Sequence, residues 1–388
     1  MSQVQEAAER HSEAGPHLGL LHAAMLLSGF GTVFLGPSLP ALAAAAHASD
    51  SGSGLFFTAQ FAGAFLGGVT TSQRLWLCLL RGLGAATAGF AGLAACTGWH
   101  ASVMFDLLAL FALGFGVGQM LTSVNLLTSQ RFREGRTAAL ALVNFSWSLG
   151  AVCAPFLLGL ALSSFPLAPV LGVAAALFLL TLLATAWDAR GRTGRVDRGV
   201  SDAGAGLPAR AFAVFAAMLL IYGGVETCLG GWIPTFATRY AGATLRVASL
   251  DVTALWIGIT AGRALTPLLL RAVRDRVLLV GALLVSTAVA IALSRATGTV
   301  PIAVLAAVLG LAMAPWFPLV LAAMLNGGAS ARQVGVIIAL SGIGAAVLPA
   351  VLGAVSSGTG SLRVALAVPV MGLVFLVVLA ILPQPKSV

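Results

Sequence analysis

One acid stands deep inside an apolar run. Glu226 lies in the stretch from 211 to 239, about 16 residues beyond Arg210, which places it roughly 24 Å along a helix rising about 1.5 Å per residue. An ionisable side chain at such depth in a bilayer is costly, and it faces a cavity or a partner. Glu226 is therefore the first candidate for chemistry: a carboxyl that exchanges a proton reversibly, or that accepts a hydrogen bond from a polar ligand. The competing reading is a structural carboxyl held by Arg263, Tyr222 or a backbone group.

The neighbours of Glu226 extend the candidate site. Tyr222 is four residues earlier and shares its helical face. Gly230 and Gly231 then permit close packing, and Trp232 offers a flat apolar surface with one N–H donor, a platform on which a sugar ring stacks. Elsewhere Thr122, Asn125 and Ser129 share one helical face, as do Asn144, Trp147 and Ser148. Buried amides without partners are expensive, so these groups, with Gln119, Gln60 and Trp316, are expected to line a polar cavity; hydrogen bonding between helices is the alternative. Asp106 and Asp251 lie near the ends of their runs and read as gating or solvated groups. Arg263 beside Gly262 reads as structural, and Pro155 and Pro349 as bending points. No metal-ligand cluster, cofactor motif or catalytic triad is visible, and the four cysteines fall singly in apolar runs.

The elements that must hold these residues are membrane-spanning helices. The chain has 388 residues, 59% hydrophobic and 9% charged, where soluble domains carry roughly 25% charged residues. A bilayer core of about 30 Å needs roughly 20 apolar residues per helix. Runs of that length fall at 17–45, 53–72, 75–97, 101–128, 137–163 and 166–187, and again at 211–239, 248–270, 277–294, 299–326, 333–356 and 362–383. The fold class expected is all-α, with twelve transmembrane helices in two six-helix bundles, 17–187 and 211–383. A tail (1–16), a basic linker (188–210) and a tail (384–388) complete the chain.

Arginine placement sets the orientation. With the N-terminus inside, inside loops and tails hold 15 basic residues and outside loops 4, so both termini and the linker are expected to be cytoplasmic, in the plasma (inner) membrane. The net charge of +9 therefore reads as topology. Basic residues scattered singly between apolar runs exclude a nucleic-acid partner.

The two bundles repeat one another. Gly29, Leu35, Gly36 and Pro40 match Gly223, Leu229, Gly230 and Pro234, each 194 residues later. Gly150, Ala151, Pro155, Leu158 and Gly159 match Gly344, Ala345, Pro349, Leu352 and Gly353 at the same offset, and Gly68 and Gly116 are matched to Gly262 and Gly310. The counterpart of Glu226 is Thr32, so one half alone carries the acid. Duplicated halves imply a central site near the membrane midplane.

At this point the sequence resembles the major facilitator superfamily, and its fucose:proton symporter and sodium-dependent glucose transporter-like branch in particular. YGGVETCLGGWIPTFATRY from Tyr222 is similar to that branch's seventh span, TAGRALTPLLL from Thr260 to its Gly-Arg signature, and LAMAPWFPLVLA from Leu311 to its Pro-rich tenth span. GQMLTSVNLL and NFSWSLGAVCAP resemble its fourth and fifth spans. GGVTTSQRLW, between spans two and three, lacks the acid usual in the superfamily and keeps Arg74 as its gating basic residue. The resemblance implies a monomeric secondary transporter, not an enzyme and without cofactor, that moves a small polar solute, a monosaccharide, by alternating access with proton symport. Sodium is the alternative coupling ion, and export of drugs or metabolites by proton antiport the alternative function.

Overall fold

The computed structural model describes residues 17–72, 74–99, 102–132, 136–188 and 206–381. The expected tails, 1–16 and 384–388, and residues 189–205 of the expected linker lie outside the described residues. The first half comprises α1 (Leu18–Val33), α2 (Leu35–Ala45), α3 (Asp50–Val69), α4 (Leu75–Trp99), α5 (Val103–Arg131), α6 (Arg136–Leu162) and α7 (Leu167–Asp188). The second comprises α8 (Ala209–Ala241), α9 (Leu245–Leu269), α10 (Asp275–Arg295), α11 (Thr299–Met313), α12 (Trp316–Asn326), α13 (Ala331–Thr359), α14 (Leu362–Ala365) and α15 (Ala367–Ile381).

Proline explains why fifteen helices make twelve spans. Spans one, ten and twelve are each broken, as α1/α2, α11/α12 and α14/α15. Pro37, Pro318 and Pro369 each follow the break by a few residues and lack the N–H that would bond the carbonyl of Val33, Ala314 and Ala365, so the helical ladder is interrupted there. At the first break the axis turns by 51°. Ten described spans are long and apolar enough to cross a bilayer, and the bent α1/α2 pair is an eleventh. The twelfth, α3, falls short of that measure because it carries Ser51, Ser53, Thr58, Gln60 and several glycines. Those residues are accommodated by protein rather than lipid: Ser53, Gln60, Gly63 and Gly67 are buried.

Glycine sets the packing inside each half. Helices in lipid gain little from apolar burial against one another, so close backbone approach through small residues carries much of their association. A methyl group on Gly29 would strike the Trp147 carbonyl, and one on Gly223 the Ser341 carbonyl; Gly150 meets Leu26 and Gly344 meets Leu220 in the same way. All four residue pairs keep the 194 offset, which confirms that α1–α6 and α8–α13 are repeated contacts.

The register differs in the other repeated pair. Gly63 abuts the Phe111 carbonyl of α5 and Gly258 the Ala307 carbonyl of α11; Gly114 abuts Gln60 and Gly310 abuts Leu255. Equivalent positions are therefore 195 residues apart in spans two and eight, and 196 apart in spans four and ten. This corrects the matches of Gly68 with Gly262 and of Gly116 with Gly310: the contact equivalents are Gly67 with Gly262 and Gly114 with Gly310.

The halves meet along three seams, α3 on α13, α6 on α9, and α2 on α8. With twelve spans, both ends of the described chain lie on one face of the bundle, termed the near face; the other is the far face.

Candidate functional site

On the far side the seam is latched. Asp50 opens α3, where the Ser49 side chain caps the helix by accepting from the Gly52 N–H. Arg239, in the last turn of α8, donates to both Asp50 oxygens at 2.7 and 2.8 Å, the bidentate geometry in which a guanidinium pairs most strongly. Ser356 of α13 donates to Asp50 as well, and Ser357 accepts from the Ser51 N–H at 2.8 Å. Two turns deeper, Thr58 donates to the Ala346 carbonyl at 2.7 Å. One first-half carboxylate thus holds two helices of the second half.

Below the latch lies a cavity of about 170 Å³ between the halves. The first half supplies Thr32 and Gly36 from span one, Phe57 and Phe61 from α3, and Trp147 from α6. The second supplies Glu226, Thr227 and Gly230 from α8, Trp256 from α9, and Ser341 from α13. Behind Glu226 stands a small polar network. The Tyr222 hydroxyl donates to Glu226 Oε1 at 3.4 Å, Arg263 Nη2 of α9 lies 4.0 Å from the same oxygen, and the Tyr222 ring stacks on Trp316 at 4.2 Å with 8° between planes. The stack fixes the phenol, which in turn directs the carboxyl; the guanidinium supplies the counter-charge that a carboxylate at this depth requires.

Of the residues expected to bind solute, Trp147 lines this cavity, while Tyr222 and Trp316 support Glu226 from behind. Trp232 does not join them. It is fully buried, packs against Phe57 with ring centroids 6.3 Å apart, and borders a separate far-side cavity of about 480 Å³ together with Thr235 and Arg239. Six residues along a helix amount to roughly one and two-thirds turns, so Trp232 points away from the Glu226 face.

The amides of spans two, four and five also lie elsewhere. Gln60 is buried and donates to the carbonyls of Gly31 and Thr32 at 3.0 and 3.1 Å, bracing span one behind the cavity wall. Gln119 is buried in α5 with its carbonyl oxygen unpartnered, and Thr122 of the same helix faces Gly68. Asn144 donates to Asn125 at 2.9 Å, and Ser148 donates to the Asn144 carbonyl. The Asn144–Asn125 bond joins spans four and five, while the Ser148 bond stays within α6.

The remaining positions are structural. Gly262 packs against Leu311 and Ala314. Pro155 and Pro349 sit inside α6 and α13, the latter with its carbonyl against Gly54. Arg74 is exposed, its N–H donating to Ser72. Asp106 and Asp251 depart from expectation: they are 2% and 1% exposed, because Asp106, in the first turn of α5, and Asp251, in the second turn of α9, face protein rather than water.

Sequence reasoning did not single out Trp256, Thr227, Ser341, Phe57 or Phe61 for this cavity, nor the Asp50–Arg239 latch. The repeat carries the signal for several of them. Thr32 is the counterpart of Glu226, Ser341 lies 194 residues beyond Trp147, and Phe61 lies 195 before Trp256; all line the same cavity.

No protein-family model matches the chain, and no curated protein matches it in sequence. Solved structures share its fold from end to end. A D-xylose–proton symporter superposes with a TM-score of 0.75 at 12% identity, covering 96% of this chain and 98% of that one. The nucleoside transporter NupG gives 0.73 at 14% identity, over 93% and 97%. FucP, a major facilitator superfamily transporter in the outward conformation, gives 0.61 at 17% identity, over 94% and 97%. The chain has the major facilitator fold, an all-α membrane architecture of twelve spans in two related halves, and resembles the transporters built on it.

Proposed function

We propose that the protein is a secondary transporter that carries a small polar solute, a monosaccharide, by alternating access, with proton movement coupled at Glu226. The observation that carries the reading is the placement of Glu226. It stands in a cavity lined by both halves, under a latched far seam, with Tyr222 and Arg263 in reach. A site enclosed between two rigid bundles becomes accessible from one face at a time when the bundles rock. With the termini inside, the far face is the outside, and the structure is the state closed to it.

The cavity's size supports a small cargo. At about 170 Å³ it is below the roughly 300–1,000 Å³ typical of sites for drug-sized ligands. Its walls combine a carboxyl, three hydroxyls and two indoles with two phenyl rings, which suits a ring bearing hydroxyls on its edge and C–H groups on its face. The neighbouring folds whose names state a cargo include a D-xylose–proton symporter and a nucleoside transporter, and a sugar ring is common to those cargoes.

The test is radiolabelled pentose and hexose uptake into proteoliposomes with and without an inward proton gradient. Wild type accumulates sugar under the gradient; Glu226→Gln loses accumulation and keeps sugar exchange. A folded, monodisperse protein that moves no monosaccharide in either mode refutes the cargo assignment.

A further inference from the structure

Two indoles meet in the cavity, and among the described residues neither N–H has a partner; Trp76, Trp232 and Trp316 share that lack, but of the five only these two line this cavity. Trp147 of α6 and Trp256 of α9 come from opposite halves, and their rings meet edge to face with centroids 5.9 Å apart and 76° between planes. Both Nε1 atoms are buried without a hydrogen-bond partner, although a buried, unpaired donor costs about 1–3 kcal/mol. Trp256, 8% exposed, holds its Nε1 about 4.0 Å from where a Cβ on Gly230 would sit, one helical turn beyond Glu226.

The repeat shows that this pair is confined to one side of the cavity. The repeat counterpart of Trp147 is Ser341 and that of Trp256 is Phe61, and both counterparts line the opposite wall, on the α3–α13 seam. A pseudo-symmetric frame thus carries two indole donors along one seam and a phenyl with a hydroxyl along the other. A ligand filling the space meets N–H donors on one edge and an apolar face, Phe57 and Phe61, across from it.

We propose that Trp147 and Trp256 are the residues that select the solute, each donating its indole N–H to an oxygen on one edge of the bound sugar ring. Because one donor belongs to each half, the bound ring also bridges the α6–α9 seam and ties solute occupancy to the relative position of the halves. The inference rests on the monosaccharide reading above and adds which edge of the ring is read and by which side chains.

Indole ¹⁵N labelling of the seven tryptophans tests it in the intact protein. Trp147→Phe and Trp256→Phe keep a ring in place, remove only the N–H and the larger ring system, and assign two cross-peaks. Adding D-xylose or D-glucose is expected to shift both, and each variant is expected to weaken sugar binding by roughly 3- to 10-fold, the worth of one neutral hydrogen bond. A monodeoxy sugar lacking the oxygen that a given indole reads loses affinity in the wild type and nothing further in the matching variant, a cycle that a merely structural tryptophan does not produce. Sugar binding with both cross-peaks unmoved overturns the assignment of the pair and leaves the transport reading intact. No sugar binding at all overturns the cargo reading and the pair's role together.

Discussion

Gly36 of span one and Gly230 of α8 face each other across the seam between the halves, so close that a methyl group on Gly36 would collide with the Gly230 carbonyl. They are also repeat counterparts, 194 residues apart, so the contact lies at the pseudo-twofold axis itself. Closure of the far side depends on Gly36 lacking a side chain, since the atom it would strike is backbone and has no rotamer to yield, whereas a Cβ on Gly230 would meet only the Leu255 and Trp256 side chains at 3.8 and 4.0 Å. Gly36→Leu is expected to hold the halves apart on that side and to lower transport at least tenfold while the protein still folds. Cysteine labelling at Ala43, which borders the far-side cavity, reads the state: reactivity toward an impermeant maleimide should rise in Gly36→Leu. Unchanged reactivity with full transport would show that the contact does not gate.

Asp50 is the electrostatic centre of the far-side latch, and it lies just outside the apolar run of span two. Its bond from the Arg239 guanidinium holds the carboxyl below the usual carboxylate range, with the Ser356 hydroxyl adding to the effect against partial burial. A depressed carboxyl contributes stability that is present above its unbonded pKa and lost as pH falls through the lowered one. The latch is therefore complete at neutral and mildly acidic pH and weakens only in strong acid, so mild acidification leaves it closed. Asp50→Asn removes the charge, and a partly exposed pair of this kind is worth about 1 kcal/mol, a roughly fivefold shift toward the far-open state. Single-molecule distances between labels on α3 and α13 measure that shift, and the reversed pair Asp50→Arg with Arg239→Asp should recover part of it.

Arg263 and Glu226 should behave as a unit in stability as well as in function. Both side chains are partly buried, 34% and 23% exposed, and removing one partner of such a pair leaves a poorly solvated charge without its counter-charge, which costs more than removing both. Arg263→Gln alone is expected to destabilise the detergent-solubilised protein by about 1 kcal/mol, and adding Glu226→Gln should restore most of the loss. Thermal unfolding of the four proteins of the cycle decides. Additive losses would mean that the 4.0 Å separation reflects proximity without coupling.

Much of the fold was legible in sequence because membrane spans announce themselves by length and hydropathy, and because duplication writes each half twice. The site was legible where depth alone marks a residue, as for Glu226, and where helical spacing suffices, as for Tyr222. It was less so where function depends on which seam a face meets. Trp232 and Trp256 are both tryptophans in apolar helices, and only the packing of α8 and α9 against the first half sends one to the far-side cavity and the other to the centre. The amides of spans four and five misled for a related reason: an Asn pair that satisfies itself between two helices has the same spacing as one that awaits a ligand. The register of spans two and four slipped by one and two residues because single Gly matches in a chain with 46 glycines do not fix alignment, whereas carbonyl contacts do.

That distinction yields the last prediction, which concerns the repeat itself. Gly150 packs on the Leu26 carbonyl and Gly344 on the Leu220 carbonyl, the same contact made once in each half. In both, an added methyl meets backbone of a neighbouring helix, so helices must separate rather than a side chain turn aside. Overpacking of this kind costs about 1–3 kcal/mol, and the equivalence of the contacts requires Gly150→Ala and Gly344→Ala to lower thermal stability by similar amounts. Gly172 and Gly281, also in spans, have no atom within 4 Å of an added Cβ; alanine there gains helix propensity of up to about 1 kcal/mol and should not destabilise. Measured together, the four variants separate a glycine kept for contact from one that is merely tolerated, and a stable Gly344→Ala beside an unstable Gly150→Ala would break the equivalence of the halves at this seam.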